Sequence, residues 1–149
     1  MEFNEKQLSI INSAERLFSV KGFDGTSVRD IAHDAGVNVA MISYYFGSKE
    51  RLMEAVFEEK TKKMRLKVEY LLGESNLTAL QKVNILIEDY VEKFLTQSNF
   101  HRIMLLEQIT DKPGVVAGLI HELKRKNLVS IRKLISEGQK RGEFKRNID

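Results

Sequence analysis

The chain contains no cysteine and a single proline among 149 residues. Without cysteine there is no disulfide, no thiolate metal site and no cysteine nucleophile. With one proline and nine scattered glycines, long stretches are free to be helical. No apolar run approaches transmembrane length. The opening Met1-Glu2-Phe3-Asn4-Glu5 is acidic and no apolar run follows it, so it does not read as a signal peptide. The expectation is a soluble cytoplasmic protein with no membrane partner. A strong excess of either charge is missing as well: 24 Lys and Arg against 21 Asp and Glu leave a net charge of +3. Residues 1–52 hold six Lys and Arg against seven Asp and Glu, so charge alone does not announce a nucleic-acid binder. The excess lies from Lys112 onward, ten basic residues against four acidic, and reads as a solvated helix face.

What is present is helical periodicity throughout, which predicts an all-α fold. Asn4 with Gln7 has capping-box spacing and opens a helix to about Val20, with Ile11, Ala14 and Phe18 on one face. Ser27 with Asp30 caps a short second helix, and Asn38 a short third. A fourth is expected from Lys49 to about Leu72, striped by Leu52, Val56, Met64, Val68 and Leu71. Thr78 and Gln81 form a further capping box for a fifth helix to about Thr96, whose apolar face carries Val83, Ile87, Tyr90, Val91 and Phe94. A sixth runs near Phe100–Ile109. After Pro113-Gly114 a seventh runs from about Val115 to Glu137, where Gly138 and Gly142 loosen the end.

The strongest constellation is Ala32, Gly36 and Ile42. Two short helices crossing steeply need a small residue where their backbones approach, and Ala32 supplies it. The tight turn between them needs a residue tolerant of positive φ, and Gly36 stands four positions on. A Cβ at Gly36 is also expected to clash where the helices meet. Ile42, six positions further, wedges the second short helix against the first. This is a helix-turn-helix, whose purpose is to hold the Asn38–Phe46 helix proud of the surface, where a major groove can receive it.

Thr26-Ser27-Val28-Arg29-Asp30-Ile31-Ala32-His33-Asp34-Ala35-Gly36-Val37-Asn38, followed by Ile42-Ser43-Tyr44-Tyr45-Phe46-Gly47-Ser48-Lys49-Glu50-Arg51-Leu52, resembles the tetracycline-repressor (TetR) family. The upstream Ala14-Glu15-Arg16-Leu17-Phe18 and Lys21-Gly22-Phe23-Asp24-Gly25 do so too, and the close resemblance covers roughly residues 8–57. It implies a helix-turn-helix DNA-binding domain over residues 1–48 and a helical regulatory domain over 49–149. It implies a ligand-responsive regulator, most simply a repressor, whose partners are a double-stranded DNA operator, a small-molecule effector and a second copy of the chain. By the resemblance, Tyr44, Tyr45 and Lys49 contact DNA phosphates. Lys49 at a helix start is also an anion site on physical grounds, as are Thr26 and Ser27 at the second helix. Asn38, Val39, Ala40, Met41 and Ser43 would form the reading surface. Here the chain departs from the family pattern, which often has a polar or basic residue and then Gly where Val39 and Ala40 stand. With no Arg or Lys between Asn38 and Ser48, bidentate guanine reading from this helix is excluded, and contacts to thymine methyls take its place.

The later helices are then expected to hold the effector and to move the fourth helix as a lever. Tyr90, Phe94, Phe100, His101, Met104, Glu107 and Gln108 are the candidate ligand residues. No cofactor is expected. An enzyme is the rival class, but the three histidines lack metal-ligand spacing, and there is no Gly-rich phosphate loop or nucleophile motif. A helical protein-interaction module that binds no DNA is the other alternative. Family relatives dimerise through two final helices, and the segment from Glu137 to Lys145 resembles the loop leading into them. The expectation is therefore a chain that lacks those last helices and dimerises weakly or differently.

Overall fold

In the computed structural model, residues 2–110 and 113–147 are described. Seven helices follow one another, and there is no strand among the described residues: α1 (Glu5–Lys21), α2 (Val28–Asp34), α3 (Val39–Phe46), α4 (Lys49–Gly73), α5 (Ala79–Thr96), α6 (Ser98–Thr110) and α7 (Val115–Lys140). None of them is long and apolar enough to cross a membrane.

The helix starts are set by short-range chemistry. Asn4 and Gln7 exchange side-chain and backbone bonds at 2.9 and 3.0 Å, as do Ser27 and Asp30 at α2. At α5 the Gln81 amide oxygen accepts from Thr78 N and the Thr78 hydroxyl oxygen accepts from Gln81 N, at 2.8 and 3.1 Å. Each box satisfies two backbone N–H groups that a helix start leaves without partners.

One compact unit comprises residues 2–60 with the described part of 97–120. Its centre is Ile10, Ile11, Ala14 and Phe18 of α1, Ile31 and Ala32 of α2, Ile42 of α3, and Leu52, Met53 and Val56 of α4, all essentially without solvent contact. α1 packs against α2 and α6, and α2 against α3. The Phe57 and Phe100 rings meet edge-on at 4.9 Å. Glu15, itself buried, pairs with Lys60 at 2.6 Å and so ties α1 to α4.

The turn between α2 and α3 closes back on α2: Gly36 N donates to His33 O and Val37 N to Ala32 O. Gly36 takes φ +65°, as the spacing predicts. The expected clash is absent, because a Cβ there would meet nothing within 4 Å. Backbone strain alone then sets the cost. Gly36→Val should cost about 1–3 kcal/mol, and Gly36→Asn distinctly less, because Asn tolerates the left-handed region. Thermal melts of the two variants check this. Equal losses would mean that side-chain bulk, not φ, decides the position.

The second unit comprises 61–96 with 121–147. Here α5 departs from its sequence pattern. The apolar residues Ile87, Tyr90, Val91 and Phe94 are each more than half exposed. The residues turned inward include Lys82, wholly buried, with Asp89 and Lys93 partly so. Lys82 Nζ is held by both carboxylate oxygens of Glu137, at 2.9 and 3.1 Å. Gly138 does not end α7 either. It sits inside the helix because a Cβ there would lie 2.2 Å from the Phe144 ring and 2.8 Å from Ala79 Cβ. The chain turns after α7 to seat Phe144 on that bare backbone. Glu143 then accepts from Ala79 N at 2.6 Å and caps α5.

Candidate nucleic-acid interface

α3 is anchored by one side and free on the other. Ile42 and Phe46 point into the first unit, and Phe3 lies against Phe46 with ring centroids 6.5 Å apart. Val39, Ala40, Ser43 and Tyr44 are exposed, and at helical spacing they form one stripe. Tyr44 is 83% exposed. Tyr45 is half-buried, its ring edge-on to Tyr44 at 5.2 Å and to Phe46 at 6.4 Å. Asn38 is exposed, but its side chain is occupied in accepting from Ala40 N, so it works as a cap. Met41 is turned partly aside and lines a shallow cleft with Glu5, Lys6, Ser9 and Val37. The exposed stripe offers two apolar side chains and two hydroxyls, and no charge.

Two of the expected phosphate contacts have other work in the fold. Thr26 is 1% exposed and its hydroxyl donates to Gly22 O at 2.8 Å, so it knits the turn before α2 and does not reach the surface. Lys49 Nζ donates to Phe23 O at 2.9 Å and Thr26 O at 3.1 Å, and lies 4.3 Å from the Phe23 ring centroid. Its first task is to pin that turn to the start of α4. Ser27 is exposed, and its hydroxyl and backbone N–H hold the Asp30 carboxyl below its ordinary range. A carboxylate therefore already occupies the positive end of α2.

Arg51 escapes a reading of the sequence alone. It is exposed, and its aliphatic stem lies beside Gly47, just past the end of α3. Its backbone N–H donates to the Ser48 hydroxyl, which caps α4. A signal for it exists in the sequence: a cation in the first turn of the helix that follows the reading helix. Glu50, next to it, is held ionised by its own backbone N–H and by the Ser48 hydroxyl.

The candidate ligand residues are not brought together in one unit. Tyr90 and Phe94 lie exposed on α5 in the second unit. Phe100 is core of the first, against Phe57. His101 places Nδ1 2.9 Å from Gln97 O, one turn back on its own helix. Met104 and Glu107 are half-buried and Gln108 is exposed. Among the described residues, no group of three or more His, Asp or Glu could hold a metal ion.

Residues 10–56, the part that builds this interface, match the profile of bacterial regulatory proteins of the tetR family. Over those residues the chain belongs to that family. It is similar to the probable HTH-type transcriptional regulator YttP of Bacillus subtilis, at 32% identity over 91% of this chain. It spans just under two thirds of YttP's length, 65%. Among solved structures, the fatty acid degradation regulator FadR of Bacillus halodurans superposes with a TM-score of 0.84 at 23% identity, covering 100% of this chain and 76% of that one. FadR of Bacillus subtilis, solved with stearoyl-CoA, gives 0.80 at 25% identity, over 95% and 75%. The seven-helix tetR-type fold expected from the sequence is thus found in solved relatives.

Proposed function

We propose that this tetR-family chain is a DNA-binding transcriptional regulator, a repressor, that inserts α3 into the major groove of an operator in the cytoplasm. The observation that carries this is the α3 stripe of Val39, Ala40, Ser43 and Tyr44, held outward by the buried Ile42 and Phe46. Val39 and Ala40 suit contact with thymine methyls, and the hydroxyls of Ser43 and Tyr44 suit bases or phosphates. Residues 1–48 form the reading domain and 49–149 the regulatory one. Two copies together present two such helices to the two half-sites of an operator.

Arg51, Tyr44 and Tyr45 are the phosphate contacts in this reading, with Lys49 chiefly holding the turn before α2 and Ser27 engaged by Asp30. Selecting bound fragments from genomic DNA and following their affinity against salt tests the arrangement. Arg51→Gln should weaken binding to all sequences alike and lower the salt slope by roughly one unit per bound protomer. An unchanged slope would remove Arg51 from the interface.

The effector is a small, largely apolar molecule; the acyl chain of the stearoyl-CoA held by the Bacillus subtilis FadR supports its apolar character, while the polyanionic coenzyme A part does not. Tyr90 and Phe94, exposed on α5 in the second unit, are the side chains offered to it, and α4 is the element it displaces. Coupling of this kind between effector and operator is reciprocal and typically about 1–3 kcal/mol.

A further inference from the structure

On the inward side of α5 in the second unit, one cation is left over. Lys67 of α4 pairs with Asp89 of α5. Lys93, one turn after Asp89, has its Nζ shut off from solvent with no hydrogen-bond partner among the described residues. Lys63 and Lys67 add two positive charges close enough to oppose that of Lys93, and Asp89 and Glu92 are the carboxylates that favour it. Burial, the largest effect, pushes the Lys93 ammonium down from its ordinary value. An ammonium stripped of water and without a hydrogen-bonded carboxylate is costly even with Asp89 and Glu92 nearby, and removing that cost takes either a lost proton or an arriving anion. The other two lysines meet solvent, the Lys67 side chain being 38% exposed and Lys63 lying at the surface.

We propose that Lys63, Lys67 and Lys93 form an anion-binding site on the α4–α5 face of the second unit, which takes a compact carboxylate or phosphate group with Lys93 Nζ as its innermost donor. Lys67 already engages Asp89, the carboxylate that most favours the Lys93 charge, so a bound anion supplies the acceptor that Lys93 lacks. That this anion belongs to an effector rests on the regulatory reading above; the site itself does not.

The test is thermal unfolding of the 149-residue chain with inorganic phosphate or decanoate, each balanced against sodium chloride at constant ionic strength. At about ten times its dissociation constant, a bound anion should raise the midpoint by roughly 3–6 °C. Lys93→Met should abolish the rise, and Lys63→Gln, at an exposed position, should weaken it without disturbing the fold. A rise with phosphate alone assigns a free-ion site, and a rise with decanoate assigns a carboxylate carried on an apolar tail. Both support the proposal. No rise with either anion overturns it, and so does a rise that survives both substitutions. DNA binding is read separately by gel shift. A chain that binds the anion through Lys93 but retards no DNA contradicts the regulatory reading and leaves the site standing. One that binds DNA and neither anion contradicts the site alone.

Discussion

Replacing Glu137 by Leu should destabilise the second unit by about 3–5 kcal/mol, read as a fall in the urea midpoint. Lys82 is wholly buried and its ammonium is gripped by both Glu137 oxygens. Truncating the acid strands that charge without water or partner, and the size of the effect follows from the stranding, not from the attraction lost. Arg141, which also reaches Glu137 at 3.3 Å, is open to solvent and is expected to matter little. The same logic predicts a rescue. Lys82→Met combined with Glu137→Leu removes both charges and should return stability to near that of the parent chain, because well-packed apolar pairs replace buried ion pairs at little cost. A double variant as unstable as Glu137→Leu alone would mean that Glu137 acts through packing or through Arg141.

Ile42→Ala should cost about 2–5 kcal/mol and abolish DNA binding, while Ile42→Val should cost about 0.5–1.5 kcal/mol and keep it. Ile42 is 1% exposed and, with Phe46, is one of two side chains by which the eight residues of α3 are buried. A helix this short is not stable by itself, so its orientation depends on that anchorage. Circular dichroism melts and a gel shift on the same samples read both effects. If Ile42→Ala melted like the parent and still bound DNA, α3 would be held by something other than its apolar face.

Much of this molecule is legible in its sequence because the determinants are local. Capping boxes at Asn4, Ser27 and Thr78, the positive φ of Gly36, and the spacing from Ala32 to Ile42 each involve residues no more than ten positions apart. Their physical consequences follow wherever the rest of the chain goes. What is not legible depends on residues far apart in sequence. Lys82 reads as a solvated lysine until Glu137, 55 positions on, is placed beside it. Lys49 reads as a surface cation until the carbonyls of Phe23 and Thr26 arrive at its ammonium. Gly138 reads as a helix end because nothing nearby in sequence shows that Phe144 needs the space. The apolar stripe of α5 reads as core by its period alone, yet the inward side of that helix is claimed by Lys82, Asp89 and Lys93, with the first two paired to α7 and α4. Periodicity reports which residues share a face, and the charge pairs decide which face turns in.

If the outward stripe of α3 lies against DNA, a negative charge placed within it must weaken binding, and Ala40→Glu supplies that charge. Ala40 is exposed in the first turn of α3, where a carboxylate favours the helix, so the fold is left intact. In a groove, the same carboxylate would face bases and phosphates with no cation beside it. Fluorescence anisotropy on genomic fragments selected by the parent chain should show affinity falling about a hundredfold or more, from like-charge repulsion at the interface, with an unchanged melting temperature. Undiminished affinity of Ala40→Glu for those fragments would contradict the account, because no helix lodged in a major groove by that stripe could carry the charge unnoticed.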